Sequence, residues 1–169
     1  MEAKRKCAVC IGCGRCGEYR KDLQVITDSF LKSELLSVDS TDKGSFVIVD
    51  IGTTTIAMEA YNKQGKKLAD YVQPNPQRIF GRDVISRIQA AERPLVAKQM
   101  QGLVKQVLLQ GLEEFRKKVL DIRKVYVAGN TTMLYLLLGY DTTELGYAPF
   151  IASYLEAVEI ELGEWTVHV

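Results

Sequence analysis

The sequence FVIVDIGTTT, residues 46–55, sets the fold class of this protein. It begins as a short apolar run that Gly52 closes, a pattern typical of a buried strand. The β-branched residues that follow, through residue 61, predict a second strand, and NKQG at 62–65 predicts a turn into a third strand over 66–72. The pattern therefore predicts three consecutive strands joined by tight connections.

The residues at the end of the first strand suggest a chemistry. Asp50 could hold a hydrated magnesium ion, since Mg²⁺ prefers one or two carboxylates plus phosphate oxygens. Gly52 would let the backbone approach a phosphate, and the amides and hydroxyls of Thr53, Thr54 and Thr55 could donate to its oxygens. This interpretation is a phosphate-binding hairpin. The alternative is a β-turn whose threonines serve only strand propensity.

Beyond residues 74–76, where two prolines interrupt the third strand, the pattern becomes helical. One helix is predicted around residues 84–91 and a longer one after Pro94, because apolar residues recur there at helical spacing. The first stripe consists of Val84, Ile85, Ile88 and Ala91, and the second of Val96, Met100, Leu103, Val104, Val107, Leu108, Leu112, Phe115 and Val119.

The remaining segments complete an alternating order of elements. Residues 124–128 predict a strand, and the turn at 129–132 predicts the N-cap of a helix through residue 138. The tail EAVEIELGEWTVHV alternates like two strands around Gly163 and Glu164. The order β-β-β-α-α-β-α-β-β predicts an α/β layered domain.

The amino-acid composition is that of a globular protein and argues against several kinds of partner. With 47% hydrophobic residues and a net charge of +1, the chain of 169 residues is typical of a globular domain and offers no general surface for nucleic acid or an anionic membrane. It has no apolar run long enough to cross a bilayer, and its start, MEAKRK, is not a signal peptide. We therefore predict a cytoplasmic location with neither nucleic-acid nor membrane partners.

All four cysteines lie in KCAVCIGCGRCG, residues 6–17. In a reducing compartment the spacing C-x2-C-x2-C-x2-C predicts a metal site made of Cys7, Cys10, Cys13 and Cys16. Four thiolates suit a [4Fe–4S] cluster or a zinc ion. The bacterial ferredoxin spacing matches up to the third cysteine, whereas zinc sites usually separate two cysteine pairs, so we favour the cluster and keep zinc as the alternative.

The same stretch contains G-x-G-x-x-G, a pattern found in dinucleotide-binding loops. No strand precedes it and cysteines occupy two spacer positions, so we do not interpret it as such a loop. Three zones result: the cysteine segment over 1–18, a linker over 19–44 with a possible helix at 22–36, and an α/β lobe over 45–169.

Six blocks, taken in order, resemble one family: FVIVDIGTTT at 46–55, NPQ at 75–77, GRDVISRI at 81–88, GNTTM at 129–133, LGY at 138–140 and APF at 148–150. The chain is similar to the reductive activators of corrinoid-dependent proteins, in the superfamily of acetate and sugar kinases, heat-shock chaperones and actin. This resemblance implies a ribonuclease H-like first lobe of an actin-like ATPase, with a three-stranded antiparallel hairpin unit plus helices.

The resemblance also implies roles for particular residues. Asp50 would act through magnesium-bound water, and Gly52 with Thr53, Thr54 and Thr55 would form the first phosphate loop for Mg-ATP. In the family, ATP turnover is coupled to an uphill electron transfer onto cob(II)amide on a partner protein. The cysteines would be the electron carrier, and a corrinoid or other redox protein the partner.

Other polar residues have two interpretations each. Asn130 would either contact the ligand at a helix N-terminus or only cap that helix. Asn75 and Gln77, in a proline-bounded loop, would lie at a lobe interface or contact ligand. Asp83 would either cap a helix or face the cleft, and we favour the cap. His168, in an alternating strand, is interpreted as structural.

Two departures from the family pattern shape the expectation. Nothing resembles a second phosphate loop or an adenosine pocket, so we expect an N-terminal half with weak or absent ATPase activity on its own. The cysteine run stands where the family carries a longer plant-type [2Fe–2S] domain. The alternatives are a non-catalytic, zinc-stabilised interaction module and an activator of a 2-hydroxyacyl-CoA dehydratase. The sequence leaves open whether the chain forms a homodimer.

Overall fold

The computed structural model describes residues 44–118 and 121–169. Its strands are β1 Ser45–Ile51, β2 Thr55–Tyr61, β3 Lys67–Pro74, β4 Ile122–Gly129, β5 Glu159–Leu162 and β6 Trp165–His168. Its helices are α1 Val84–Ala91, α2 Pro94–Lys118, α3 Thr131–Leu138 and the short α4 Thr143–Gly146, with a 3₁₀ helix at Pro76–Ile79. The predicted order of strands and main helices is confirmed.

The strands form one six-stranded mixed sheet in the order β3-β2-β1-β4-β6-β5. β1, β2 and β3 are antiparallel neighbours, β4 runs parallel to β1, and β6 runs parallel to β4. The tail hairpin joins the sheet through β6, its second strand, while β5 forms the edge. The parallel pairs bring the carboxyl ends of β1 and β4 to the same edge, because parallel strands end on the same side of a sheet.

The core lies between one face of the sheet and the helices. Alternate residues of β1, namely Val47, Val49 and Ile51, are fully buried. They share a cluster with the apolar stripe of α2, which consists of Met100, Val104, Leu108, Leu112 and Phe115. A period of two on a strand and of 3.6 on a helix makes these two apolar surfaces face each other.

The other face of the sheet is partly open within the described residues. Ile48 on β1 and Tyr126 on β4 are 45% and 40% exposed. Asp50 follows Ile48 on this same face, since residues two apart on a strand point the same way. The carboxylate of Asp50 therefore emerges on the open side of the sheet, at the end of β1.

Helix α1 forms where predicted, but its buried side differs from the predicted stripe. Ile88 is buried, whereas Ile85 is 48% exposed and Arg87 is 0% exposed. Asp83 caps the helix as predicted: its carboxylate accepts from the Ser86 N–H at 2.8 Å. Arg87 is buried because backbone carbonyls are available to its guanidinium, which a pattern of apolar residues cannot indicate.

Several predictions fall outside the described residues: the cysteine segment, the helix at 22–36 and most of the linker. Of the predicted α2 stripe, Val119 also lies outside them. No helix in the described ranges is long and apolar enough to cross a membrane.

Candidate functional site

Asp50 lies one residue before the end of β1, between two small neighbours. It pairs with Ala57 on β2 and with Ala128 on β4. Methyl side chains on both flanking strands leave the Asp50 side chain exposed. The result is a carboxylate at a strand end with open space around it, as a cation that also contacts a second molecule requires.

The loop after β1 is a tight hairpin connection. The N–H of Gly52 donates to the carbonyl of Thr55 at 2.9 Å. A Cβ atom on Gly52 would lie 2.8 Å from that same oxygen, so this closure requires glycine. The side chains of Thr54 and Thr55 are exposed. Backbone and hydroxyl donors are thus accessible at this connection.

Three consecutive carbonyls of this loop accept hydrogen bonds from residues that lie beneath it. The side-chain amide of Asn75 donates to the Gly52 carbonyl at 2.8 Å, and its backbone N–H donates to the Thr54 carbonyl at 2.8 Å. The guanidinium of Arg87 donates to the Thr53 carbonyl at 2.6 Å. Asn75 and Arg87 are both 0% exposed, so the hydrogen-bond donors that contact the loop are buried side chains and backbone groups.

The turn after β4 lies beside this loop. Gly129 pairs with Ile51, and a Cβ on Gly129 would lie 2.8 Å from the Ile51 carbonyl oxygen, so glycine permits the close approach. Asn130 caps α3, accepting from the Met133 N–H at 3.0 Å, and its Nδ2 donates to Thr53 Oγ1 at 3.2 Å. The N-terminus of α3, where helix N–H groups favour anions, therefore opens next to the loop.

Besides the exposed carboxylate of Asp50, the site has two charged groups near the loop, the guanidinium of Arg87 and the carboxylate of Asp83. Burial lowers the pKa of the Arg87 guanidinium, and the negative charge of Asp83 opposes that change. The Ser86 N–H, with its hydroxyl, holds the pKa of Asp83 below its ordinary value. Arginine stays protonated at neutral pH, so Arg87 places a positive charge beneath the Gly52–Thr55 loop.

The structure brings together Asp50, Gly52, Thr53, Thr54, Thr55 and Asn130, the residues singled out from the sequence. Asn75 and Gln77 are completely buried and hydrogen-bonded within this chain: the Asn75 side chain accepts from the Gln77 N–H, and Gln77 donates to the Met100 carbonyl. Cys7, Cys10, Cys13 and Cys16 lie outside the described residues.

The sequence did not indicate that Arg87 is buried beneath the loop. It also did not indicate that Asn75 is completely buried and hydrogen-bonded to the loop. Arg87 follows the capping Asp83 by four residues and so lies on the same side of α1, but the apolar pattern of this helix indicates only apolar residues such as Ile85 and Ile88 as buried. The one signal in the sequence is that Arg87 directly precedes Ile88, an apolar residue predicted to be buried. His168 has the predicted structural setting: it pairs with Glu159 at 3.0 Å and stacks on Tyr126.

Metal-binding potential is limited in the described part of the chain. No group of three or more histidine, cysteine, aspartate or glutamate side chains gathers there. A cation at the Gly52–Thr55 loop would have Asp50 as its protein carboxylate and would need other oxygens, such as those of a phosphate or water. Magnesium commonly binds in this way.

The family described as RACo middle region matches residues 46–169. A curated relative, the corrinoid activation enzyme RamQ of Eubacterium limosum, is 31% identical over 121 residues, which are 68% of this chain and 20% of the relative. A solved structure, a reductive activator for corrinoid, iron-sulfur protein, is 29% identical with a TM-score of 0.64 and aligns with 71% of this chain and 20% of its own.

The structural likeness confirms the predicted fold class: an α/β lobe of the actin-like ATPase type with a mixed sheet. The chain spans about a fifth of the length of the two proteins, 20% in each case. The match includes the β1–β2 hairpin and the β4–α3 turn, since both lie within residues 46–169.

Proposed function

Because the chain belongs to the RACo middle region family, we propose that it forms the phosphate-binding part of an ATP-dependent reductive activator of a corrinoid protein. The observation that supports this most directly is the meeting of the Gly52–Thr55 loop with Asn130 at the carboxyl ends of β1 and β4. Ligands of α/β proteins bind at such strand ends. One relative is named a corrinoid activation enzyme and the other a reductive activator for corrinoid, iron-sulfur protein; for this chain, such a role is part of the proposal.

The phosphates of ATP would bind against the Gly52–Thr55 loop. The N–H groups and hydroxyls of this loop are donors, and the N-terminus of α3 beside Asn130 adds a favourable dipole. Thr53 Oγ1 accepts from Asn130, which leaves its own hydroxyl hydrogen to donate to a phosphate oxygen. Asp50 would hold magnesium, which offsets the charge of the β- and γ-phosphates.

Electron transfer is assigned to the cysteine segment. Cys7, Cys10, Cys13 and Cys16 would hold a [4Fe–4S] cluster, for which four thiolates are a suitable donor set. The cluster, when bound, supplies a one-electron carrier, and the partner that receives the electron is a corrinoid or other redox protein. Lys6, Arg15 and Arg20 flank the cysteines and would favour an acidic partner surface.

The phosphate site can be tested on the isolated chain by NMR, which detects weak binding. Addition of Mg-ATP to ¹⁵N-labelled protein is expected to shift the amide signals of the Gly52–Thr55 loop and of Asn130. Asp50→Asn should weaken the binding because it removes the carboxylate that holds magnesium. Glu156→Gln removes an exposed carboxylate far along the chain and serves as the control.

Two results would count against the phosphate site. One is a set of shifts confined to other residues, or no shift at millimolar Mg-ATP. The other is an Asp50→Asn protein that binds Mg-ATP as tightly as the wild type does.

The cysteine site requires a separate measurement. Protein purified without oxygen is expected to be brown, to contain about four irons and four sulfides per chain, and to lose this absorption on reduction. Replacement of Cys10 by serine should lower the iron content. A colourless protein with one zinc ion per chain would contradict the proposed electron carrier and support the zinc-stabilised interaction module.

A further inference from the structure

The inference concerns how the Gly52–Thr55 loop is oriented, and it rests on the phosphate site proposed above. The carbonyls of Gly52, Thr53 and Thr54 accept hydrogen bonds from Asn75 and Arg87. In a planar trans peptide the C=O and the N–H of the same unit point in opposite directions. Each inward carbonyl therefore turns the next N–H outward.

The outward N–H groups belong to Thr53, Thr54 and Thr55. In the part of the chain that the structure describes, neither Thr53 nor Thr54 donates its N–H to a protein acceptor. Successive N–H groups that point to one side form a concave binding surface for anions. The donors beneath the loop thus determine which way the phosphate-facing groups point.

Arg87 is the donor with the most demanding geometry. Its Nε donates to the Gly81 carbonyl at 3.0 Å, one terminal nitrogen contacts Met133 Sδ at 3.2 Å, and the other donates to Thr53. The guanidinium therefore joins the segment before α1, the helix α3 and the Gly52–Thr55 loop. A planar fork with five N–H donors can do this, whereas the single ammonium of lysine cannot reach three acceptors in fixed directions.

Arg87 has no acidic partner at close range. Among the described residues no carboxylate lies within ion-pair distance of its guanidinium, and Asp83 acts only through its longer-range charge. A buried arginine without a close carboxylate is expensive to maintain in a protein. The guanidinium donates to two backbone carbonyls and contacts one sulfur, so it fixes the positions of the backbone segments that carry those carbonyls.

We infer that Arg87 is a positioning residue for phosphate binding: by holding the Thr53 carbonyl inward it turns the Thr54 N–H toward the phosphate of the ligand. Arg87 itself does not contact the ligand. The sequence alone assigned no role to this residue. Its effect on affinity is expected to come through the orientation of one peptide unit, between Thr53 and Thr54.

The test compares three variants of the full chain by NMR titration with Mg-ATP. Arg87→Met removes the charge and the fork, and Arg87→Lys keeps the charge but loses the fork. Arg78→Met removes an exposed arginine from the neighbouring 3₁₀ helix and is the control. The signals to follow are the amides of the Gly52–Thr55 loop, both without ligand and during titration.

The inference predicts that Arg87→Met and Arg87→Lys each weaken Mg-ATP binding by about tenfold or more, the scale of a lost charge-assisted hydrogen bond. It also predicts that both variants, but not Arg78→Met, shift the Thr54 amide signal without ligand. Unfolding curves measured in parallel separate affinity from stability, because the dissociation constant of the folded protein is unaffected by a loss of stability alone.

Three outcomes would overturn the inference. One is wild-type affinity of Arg87→Lys for Mg-ATP, which would assign the effect to charge. The second is normal Mg-ATP binding by both variants together with a loss of stability, which would assign Arg87 a structural role only. The third is an unchanged Thr54 amide signal in both ligand-free variants, which rejects the orienting role of Arg87 without reference to any ligand. A wild type that does not bind Mg-ATP is a separate result: it rejects the phosphate site and, with it, the inference that rests on that site.

Discussion

The side chain of Asn130 joins helix α3 to the loop of the β1–β2 hairpin: its Oδ1 accepts from the Met133 N–H at 3.0 Å, and its Nδ2 lies 3.2 Å from Thr53 Oγ1. The predicted cap is present, and the donor end of the same amide contacts the loop, while contact of Asn130 with a ligand stays a prediction. Because an amide has both an acceptor and a donor end, neither contact excludes the other.

The two ends of Asn130 can be separated by substitution. Asn130→Asp keeps an oxygen for the Met133 N–H and should retain nearly the wild-type free energy of unfolding. Asn130→Ala removes the cap and should cost about 1 kcal/mol, as measured by urea denaturation. An aspartate variant that loses as much stability as the alanine variant would contradict the cap as the source of the lost stability.

Asn75 is predicted to be one of the most sensitive polar residues of the lobe. Asn75→Ala would leave the Gly52 carbonyl and the Gln77 N–H without their present partners, at a cost of about 2 kcal/mol or more. Gln73→Ala, an exposed position on β3, is the control and should be near neutral. Equal denaturant midpoints for the two variants would contradict this prediction.

Two glycines of helix α2 provide a matched comparison. A Cβ on Gly102 would meet no atom within 4 Å, so Gly102→Ala should raise the free energy of unfolding by about 0.5–1 kcal/mol. A Cβ on Gly111 would overlap the Met58 sulfur and lie 2.8 Å from Tyr71 Cδ1. Gly111→Ala should therefore be destabilising, by about 1–3 kcal/mol.

The helix-propensity gain is the same in both glycine variants, so the difference between them isolates the steric contact between α2 and the sheet. Thermal and urea unfolding of the two proteins measure it. A stabilising Gly111→Ala substitution would show that β2 and β3 can move away from the helix at little cost.

Glu59 is predicted to make stability depend on pH. The hydrogen bond from Lys67, at 2.7 Å, and a second one from Tyr61 hold the pKa of Glu59 below its ordinary value. The folded-state pKa is thus lower than the unfolded one, so the stabilisation is present above the unfolded pKa and disappears as pH falls through the folded one.

Both side chains of the Glu59–Lys67 pair are 41% exposed, so solvent screening limits the effect to a few tenths of a kcal/mol, about the size of a surface pair. The stability difference between wild type and Glu59→Gln should shrink as pH is lowered from about 7 to about 3. Glu156→Gln removes an exposed carboxylate that is not part of this pair and is the control. A difference that stays constant across this range would remove Glu59 as a source of the pH dependence.

Local patterns were sufficient to predict much of the lobe. The hairpin connection at Gly52, the cap at Asp83 and the turn at Asn130 depend on residues within a few positions of one another, and the structure contains all three. The α1 stripe was wrong in part, because Ile85 is exposed and Arg87 is buried. The partners of Arg87 lie as far as 46 residues away in the chain, at Met133.

The sequence by itself determined the order of strands and helices and the residues proposed to bind a phosphate, because side-chain periodicity and turn chemistry act over short distances. Only the tertiary structure decided the order of strands across the sheet, the meeting of the β1 and β4 ends, and the support of the Gly52–Thr55 loop by Asn75 and Arg87. These features depend on hydrogen bonds between distant segments, which form only where the packed core brings a donor and an acceptor together.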